Sequence, residues 1–369
     1  MDKGVRSCGK EEISRRIVKN GVKVLYAGSF FHGSTSFYRA NALRQIGYDV
    51  YFFDKDSYFP YRSRGLHNLW RRLEWGPSVW PLNAAMLREV ARMAPAIVFV
   101  EKGLMFRAET MHALKTRGIK IIHWFGDDFL NPINNSQMFF EGIGLYDAHI
   151  TTKSYNVAEL VARGARNVTF IDNSFEPSVF YPRSILPGDR KRLGAAVGFI
   201  GEYERERAES LLFLASHGIK VRVWGEGWLG HKRLRNENIL LDGRGLWGED
   251  YPVAICSIGI NLCFLRKTNR DLQTTRSLEI PACGAFMLAE RTSEHTRLFK
   301  EGQEAEFFSS NQELLAKVTQ YLDDAVMREK IAKAGYERCA TSGYSFRERF
   351  ELLFRDIFRS AGKTGKSHD

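Results

Sequence analysis

Two hydrophobic periods alternate along the chain. Short apolar runs of strand type occur at 23–27, 48–53, 96–100, 119–125, 148–151 and 168–171. Between them, apolar residues recur at helical spacing over 36–46, 82–93, 107–116 and 155–163. Gly47, Gly118 and Gly164 follow three of these helices, where a left-handed cap is favoured. The run 96–100 is apolar on both faces, as a strand inside a parallel sheet should be. Such alternation predicts a parallel sheet covered by helices.

The pattern pauses over 172–195, which holds Pro177, Pro182, Pro187, Gly188 and the basic run Arg190-Lys191-Arg192. Strand-like runs resume at 196–200, 221–224, 238–241, 257–262, 285–288 and 306–308. The tail is helical over 311–322, 325–341 and 346–360, and the last segment places Phe346, Phe350, Leu353, Phe354, Ile357 and Phe358 on one face. The division expected is a first domain at 20–175, a linker at 176–195, a second domain at 196–344 and a closing helix at 345–360. Two doubly wound α/β domains of this kind present a cleft between their carboxyl edges.

A chain of 369 residues with 44% apolar content suits two domains with full cores. The longest apolar run, 253–265, is too short for a bilayer, and the first 20 residues carry no apolar signal core. Five cysteines, Cys8, Cys256, Cys263, Cys283 and Cys339, form no Cys-x-x-Cys pair. Together these features predict a reduced, cytoplasmic protein. The net charge of +11 fits phosphate-bearing substrates or peripheral contact with an anionic membrane. No nucleic-acid-binding signature accompanies it, so a nucleic-acid partner is not expected.

Candidate chemistry concentrates in the second half. Strand 196–200 ends at Gly201, and a helix with Arg207 in its first turn follows. Strand 221–224 ends in Gly225-Glu226-Gly227. Glycine lets phosphate approach backbone amides, and a helix start favours negative charge. An ordinary strand-to-helix turn is the plain alternative for each loop. The block Thr274-Thr275-Arg276-Ser277-Leu278-Glu279-Ile280-Pro281-Ala282-Cys283-Gly284 is more telling. Pro281 keeps its helix short, Thr274, Thr275 or Ser277 is the expected cap, and Glu279 falls near the positive end. With Asp271 eight residues earlier, two carboxylates and Arg276 converge: carboxylates suit ribose hydroxyls and arginine suits a diphosphate.

Phe199-Ile200-Gly201, Trp224-Gly225-Glu226-Gly227 and Arg276-x-x-Glu279-Ile280-Pro281-Ala282-Cys283-Gly284 resemble the group 1 glycosyltransferases of the GT-B fold, most of all the CgeB-like spore-maturation subgroup. Ala289-Glu290-Arg291-Thr292 and Leu298-Phe299-x-Glu301-Gly302-x-Glu304 extend the similarity, which covers about 196–350. The first domain is similar in layout, and Asn173-Ser174-Phe175 and Phe180-Tyr181-Pro182 resemble the family's linker. The resemblance implies two Rossmann-like domains, the second holding a nucleotide diphosphate-sugar and the first an acceptor, with the last helix returning to the first domain. It implies Glu279 on the ribose, with Gly201, Arg207, Thr275 and Arg276 near the diphosphate. Retaining members carry two glutamates with seven residues between them. Asp271 stands for the first here, which leaves retention or inversion open.

No cofactor is expected, because arginines and helix-end amides can stabilise a leaving diphosphate without a cation. Asp127-Asp128, after strand 119–125, is the one tempting metal signal, but no third ligand stands at a telling spacing. A base toward an acceptor hydroxyl suits Asp127 or Asp128 better, with His123 as an alternative base or a plain core histidine. Glu101 and Lys102 end another strand and could face the cleft. The loop carrying Gly28, Ser29 and Gly33, with Arg39 behind it as a candidate phosphate partner, lacks dinucleotide and P-loop spacing. It is expected to face diphosphate or acceptor, or to be a plain turn. Residues 66–75 interleave Trp and Arg, which suits sugar stacking, a membrane interface or simple packing. The function expected is metal-independent sugar transfer to a glycan, lipid or protein acceptor. The alternatives are a nucleotide-sugar epimerase and a non-catalytic sugar-nucleotide-binding or surface-assembly protein.

Overall fold

A computed structural model of the chain describes residues 21–31, 33–59, 69, 70, 73 and 76–363, with backbone alone over 356–363. Most of the Trp/Arg stretch at 66–75 lies outside the described residues. The chain divides into two units. One ends at Ile171 and resumes at Arg347; the other is Asp172–Phe346.

In the first unit β1 (Lys23–Gly28), β2 (Asp49–Asp54), β3 (Ile97–Glu101), β4 (Lys120–Phe125), β5 (Ala148–Thr151) and β6 (Val168–Phe170) pair in parallel, in the order β2-β1-β3-β4-β5-β6. Every residue of β3 is buried, as its unbroken apolar run predicts. The chain winds to one side of β1 to make β2, then crosses over to make β3. The switch point, where doubly wound sheets bind ligands, therefore lies between β1 and β3 at their carboxyl ends. Helices α1 (Thr35–Gln45), α2 (Val79–Met93), α3 (Ala108–Lys115), α4 (Gln137–Gly142) and α5 (Asn156–Ala162) link the strands. Val79, Leu82 and Met86 of α2 and Met111 and Leu114 of α3 pack on Val98, Val100 and Ile121 of the sheet. Gly47, Gly118 and Gly164 have φ of +94°, +71° and +91°, the left-handed caps their positions called for.

The second unit repeats the plan. Strands β7 (Ala195–Ile200), β8 (Val221–Trp224), β9 (Ile239–Leu241), β10 (Ile258–Cys263), β11 (Met287–Glu290) and β12 (Glu306–Phe308) run parallel in the order β12-β11-β10-β7-β8-β9. Its switch point lies between β7 and β10. Helices α6 (Pro187–Leu193), α7 (Arg205–Ser216), α8 (Asp250–Ser257), α9 (Arg276–Ala282), α10 (Ser293–Leu298), α11 (Asn311–Asp323) and α12 (Ala325–Thr341) complete it. Leu211 and Leu214 of α7 and Leu314 and Val318 of α11 share one core with Phe199, Ile260 and Leu288.

Residues 176–195 differ from the expected linker. Pro187 opens α6, where its missing N–H is harmless. Leu193 at the end of α6 is buried with Trp224, Ala254 and Ile258. Phe175 N–H donates to Tyr344 O at 3.4 Å, Phe346 N–H donates to Phe175 O at 3.1 Å, and Arg183 pairs with Glu249 at 2.7 Å. These contacts fasten the stretch into the second unit. The last helix, α13 (Phe346–Lys363), lays its apolar face on the first unit: the Phe350 ring lies 5.6 Å from Trp124 and the Phe354 ring 5.3 Å from Tyr48.

Candidate functional site

The carboxyl edge of the second sheet carries the residues of the Arg276–Glu279 block. Arg207, on the first turn of α7, is 3% exposed. Its Nε and Nη1 donate to the carbonyls of Leu265 (3.2 Å) and Glu202 (2.9 Å). Arg276, the first residue of α9, sends Nη2 to Phe264 O at 3.5 Å, and its buried Nε has no hydrogen-bond partner. Both guanidinium carbons lie over the Phe199 ring, at 5.5 and 5.8 Å. Neither arginine forms an ion pair among the described residues. Burial, and next the charge of Arg276, push Arg207 down to about 10. Neighbouring cations are satisfied by contrast: Arg266 pairs with Glu202 (2.5 Å) and Glu204 (3.2 Å), and Lys267 pairs with Glu290. A buried and a half-buried guanidinium thus stand together at the switch point with no carboxylate at ion-pair distance from either, an arrangement that an anion would relieve.

Glu279, the fourth residue of α9, is 4% exposed. Tyr251 Oη of α8 donates to its Oε2 at 2.7 Å. Burial pushes the carboxyl up from its usual range, while Tyr251, Arg276 and Thr275 pull it back. The group is desolvated, and one of its oxygens already accepts a tyrosine hydroxyl. The cap of α9 differs from expectation. Thr275, its N-cap residue, makes no side-chain capping bond. Ser277 Oγ instead accepts Thr274 N–H at 3.0 Å and donates to His295 Nε2 at 2.7 Å, and His295 Nδ1–H donates to Glu290 O at 2.6 Å. This buried relay holds the block in place and fixes the tautomer of His295. Asp271 is half-buried and accepts from Asn269 Nδ2 at 2.8 Å, shaping the loop before the block.

The glycine loops hold each other. Gly201 N–H donates to Trp224 O (2.8 Å), and Gly225 N–H donates to Arg244 O (2.9 Å). These amides are not open to phosphate, which corrects that expectation: Gly201 extends the β7–β8 ladder by one residue, and Gly225 is held by the loop after β9. Gly225 is required by crowding, since φ is +147° and a β-carbon there would lie 2.0 Å from Gly201 O. Glu226 is exposed, and its carbonyl accepts Tyr203 N–H at 2.9 Å.

The carboxyl edge of the first sheet is built differently. Glu101, at the end of β3, is buried and accepts Arg39 Nε at 2.7 Å as well as the hydroxyls of Tyr26 and Ser36. Arg39 also lies 4.8 Å over the Trp124 ring. Burial opposes the charge on Glu101, but Arg39 overrides it and holds the carboxyl below its usual range. Lys55 Nζ donates to Glu101 O at 2.7 Å, and burial lowers that amine. Arg39 is therefore neutralised in the core, which corrects its expected role as a phosphate partner, and Glu101 does not face solvent. Gly28 ends β1 where a β-carbon would meet Tyr26 at 2.9 Å. Ser29 and Gly33 are half-buried in the loop that follows, and Ser34 Oγ caps α1 by accepting Phe37 N–H at 3.3 Å.

Of the three candidate bases, two turn inward. His123 is fully buried in β4, its ring centre 4.6 Å from that of Tyr146. His149 Nε2–H donates to Ile143 O at 2.8 Å, which leaves its Nδ1 to accept His123 Nδ1–H at 3.0 Å. Burial, then His149, pushes His123 well below the usual histidine range, so it is a neutral core residue. Asp128 is also buried: Oδ1 accepts Leu130 N–H (3.1 Å) and Asn156 Nδ2 (3.2 Å), which builds the turn after β4. Asp127 stays half-exposed and pairs with Lys102 Nζ at 2.5 Å. Lys102 has φ of +61°, a left-handed conformation unusual for a lysine, at the end of the strand next to the switch point. Among the described residues no three His, Cys, Asp or Glu side chains gather as metal ligands, and no helix is long and apolar enough to cross a membrane.

Residues 205–355 match a family model, Glyco_trans_1_2, described as Glycosyl transferase-like. Among curated proteins none matches the chain. Among solved structures, sucrose-phosphate synthase from Thermosynechococcus elongatus is similar at 13% identity and TM-score 0.68, over 92% of this chain and 99% of that one. Anabaena HepE in complex with UDP-glucose is similar at 12% identity and TM-score 0.60, over 92% and 99%. A putative UDP-N-acetylglucosamine 2-epimerase from Listeria monocytogenes is similar at 12% identity and TM-score 0.56, over 92% and 97%. The fold is GT-B. Tyr251 and His295, which hold Glu279 and Ser277, are residues that the sequence pattern did not single out. Ser277 lies inside the telling block, but its partner stands 18 residues away and only the fold brings the two together.

Proposed function

We propose that this protein is a glycosyltransferase that moves a sugar from a nucleoside diphosphate-sugar to an acceptor hydroxyl, without a metal. The observation that carries the proposal is the pair formed by buried Arg207 and half-buried Arg276 over Phe199, without an ion-pair partner among the described residues and one turn of α9 from Glu279. A nucleoside diphosphate supplies the missing negative charge. As the bond between the sugar and the diphosphate breaks, charge grows on the terminal phosphate, and two guanidinium groups held at the sheet edge stabilise it most at that moment. Glu279 accepts ribose hydroxyls beside Tyr251. The match to a Glycosyl transferase-like family model over 205–355 supports this assignment, and so does a fold neighbour solved with UDP-glucose. The likeness to the CgeB-like subgroup belongs to the same proposal.

Asp127 is the remaining candidate for the acceptor's proton, with Lys102 as its counter-ion. The acceptor is a glycan, a lipid or a protein, and the first unit holds it. An epimerase is a second reading, favoured by the Listeria neighbour of that description. Incubation with UDP-glucose and UDP-N-acetylglucosamine tests both. Slow release of UDP and free sugar is the expected result, since a transferase leaks sugar to water. Conversion to a second nucleotide-sugar with no UDP released would favour the epimerase, and no turnover of any donor would count against both.

A further inference from the structure

We propose that Cys256 and Cys283 form an oxidisable dithiol that closes into an intramolecular disulfide. Cys256 lies in the last turn of α8, and Cys283 is the C-cap of α9. The two residues are in direct contact: Cys256 Sγ lies 3.5 Å from Cys283 O. Cys256 is half-buried and opens onto a cavity of about 400 Å³, whereas Cys283 is buried behind it. Arg190, Arg328 and Lys333 line the same cavity, with Glu329 the single acid among its lining residues. Contact with Cys283, and to a lesser degree Arg183, draws the Cys256 thiol below its usual range, while Cys256 and burial push Cys283 up. The accessible sulfur is therefore the one favoured as thiolate, in a basic setting, and the shielded sulfur stands ready as its resolving partner. Cys263 and Cys339 are buried and face a serine hydroxyl and a backbone carbonyl.

The oxidant is a small-molecule disulfide. The Cys256 thiolate attacks one of its sulfurs and expels one thiolate, leaving a mixed disulfide on Cys256. Cys283 then loses its proton and attacks Cys256 Sγ. That step expels the second thiolate, which takes up the proton. Two protein thiols are oxidised by two electrons, and the small disulfide is reduced to two thiols. The bridge joins the helix that carries Tyr251 to the helix that carries Arg276 and Glu279. Drawing the two side chains into a covalent bond shifts the end of α9 relative to α8.

The test is to treat the reduced full-length protein with oxidised glutathione, alkylate the remaining thiols and map the peptides. The expected product is a peptide linked through Cys256 and Cys283, and in the Cys283→Ser variant a stable glutathione adduct on Cys256. Glutathione retained on Cys256 beside a free Cys283 would overturn the proposal, as would a link from Cys256 to Cys8 or a Cys256 that resists oxidation. A second arm rests on the donor-site reading above. The bridged form is expected to bind UDP roughly tenfold more weakly than the reduced form, because the Tyr251–Glu279 hydrogen bond is disturbed. Equal affinities would overturn the coupling. A reduced protein that ignores UDP would count against the donor site, leaving the bridge to stand on the peptide map.

Discussion

Both sheets place a buried arginine and a buried glutamate at the carboxyl edge near the switch point, and the two edges use them in opposite ways. In the first unit Arg39 donates directly to Glu101, with Tyr26 and Ser36 on the same carboxylate. That network is closed: each charge has its partner within the protein. In the second unit Arg207 and Arg276 face each other over Phe199, and Glu279 is hydrogen-bonded to Tyr251. That network is open on the cationic side. The same topology therefore supports a self-satisfied edge and an edge whose arginines have no carboxylate at ion-pair distance. The difference lies in whether a carboxylate reaches the guanidinium.

The largest effect expected comes from opening the closed edge. Glu101→Gln leaves Arg39 buried without its counter-charge, and loss of one partner of a buried pair costs about 3–5 kcal/mol. Thermal or urea unfolding checks this, and a loss below about 1 kcal/mol would mean that the first edge is not held by this pair. The pH dependence should follow. Glu101 is held below its usual range, so the stability it contributes is full above the ordinary glutamate pKa and is lost as pH falls through its lowered value. Glu101→Gln should therefore flatten the acid limb of the stability profile.

The next effect tests the open edge. Arg276→Ala removes a cation that is ion-paired to no carboxylate, so folding stability should change by at most about 1 kcal/mol while UDP affinity drops roughly tenfold to a hundredfold, the worth of a hydrogen bond to a charged group. Calorimetric titration with UDP, beside a thermal melt, separates the two quantities. A large loss of stability with unchanged affinity would make Arg276 a structural residue.

Glu279→Gln sharpens the contrast between the carboxylates. Burial raises the Glu279 carboxyl, so the cost of holding it charged is absent below the ordinary glutamate pKa and grows as pH rises through its raised value. The glutamine variant should match or exceed the parent in stability at neutral pH and lose that advantage in acid, the reverse of Glu101→Gln. Its UDP affinity should fall roughly tenfold. A variant that melts lower at neutral pH would contradict the sign. The smallest stability effects separate the adjacent aspartates. Asp128→Asn should cost about 1 kcal/mol through weakened turn hydrogen bonds. Asp127→Asn, in a half-exposed pair, should cost well under about 1 kcal/mol. Asp127→Asn should also slow turnover while leaving UDP affinity in place; full turnover would remove Asp127 as the base.

The fold was legible because parallel strands buried on both faces read as unbroken apolar runs. β5, β8 and β12 occur at the residues the pattern marks, and the other strands begin or end within two residues of them. The stretch 176–195 misled because Pro187 and Gly188 read as breakers, whereas Pro187 is the first residue of α6. At the site, the cluster of Arg207, Arg276 and Glu279 was visible as a local motif plus one glycine turn. What was not visible is which charges are already satisfied. Arg39 finds Glu101 62 residues away, and Glu279 finds Tyr251 28 residues away. Nor does spacing reveal which of Asp127 and Asp128 folds inward, because that depends on the turn closed at Leu130 and Asn156.

The central claim is that the unneutralised arginine pair receives a diphosphate. Titration of UDP and of uridine into the wild-type protein tests it most directly. Two charge-assisted contacts predict that UDP binds roughly a hundredfold or more tighter than uridine, with the advantage shrinking as salt is added. Equal binding of the two, or no binding of either, would contradict the claim.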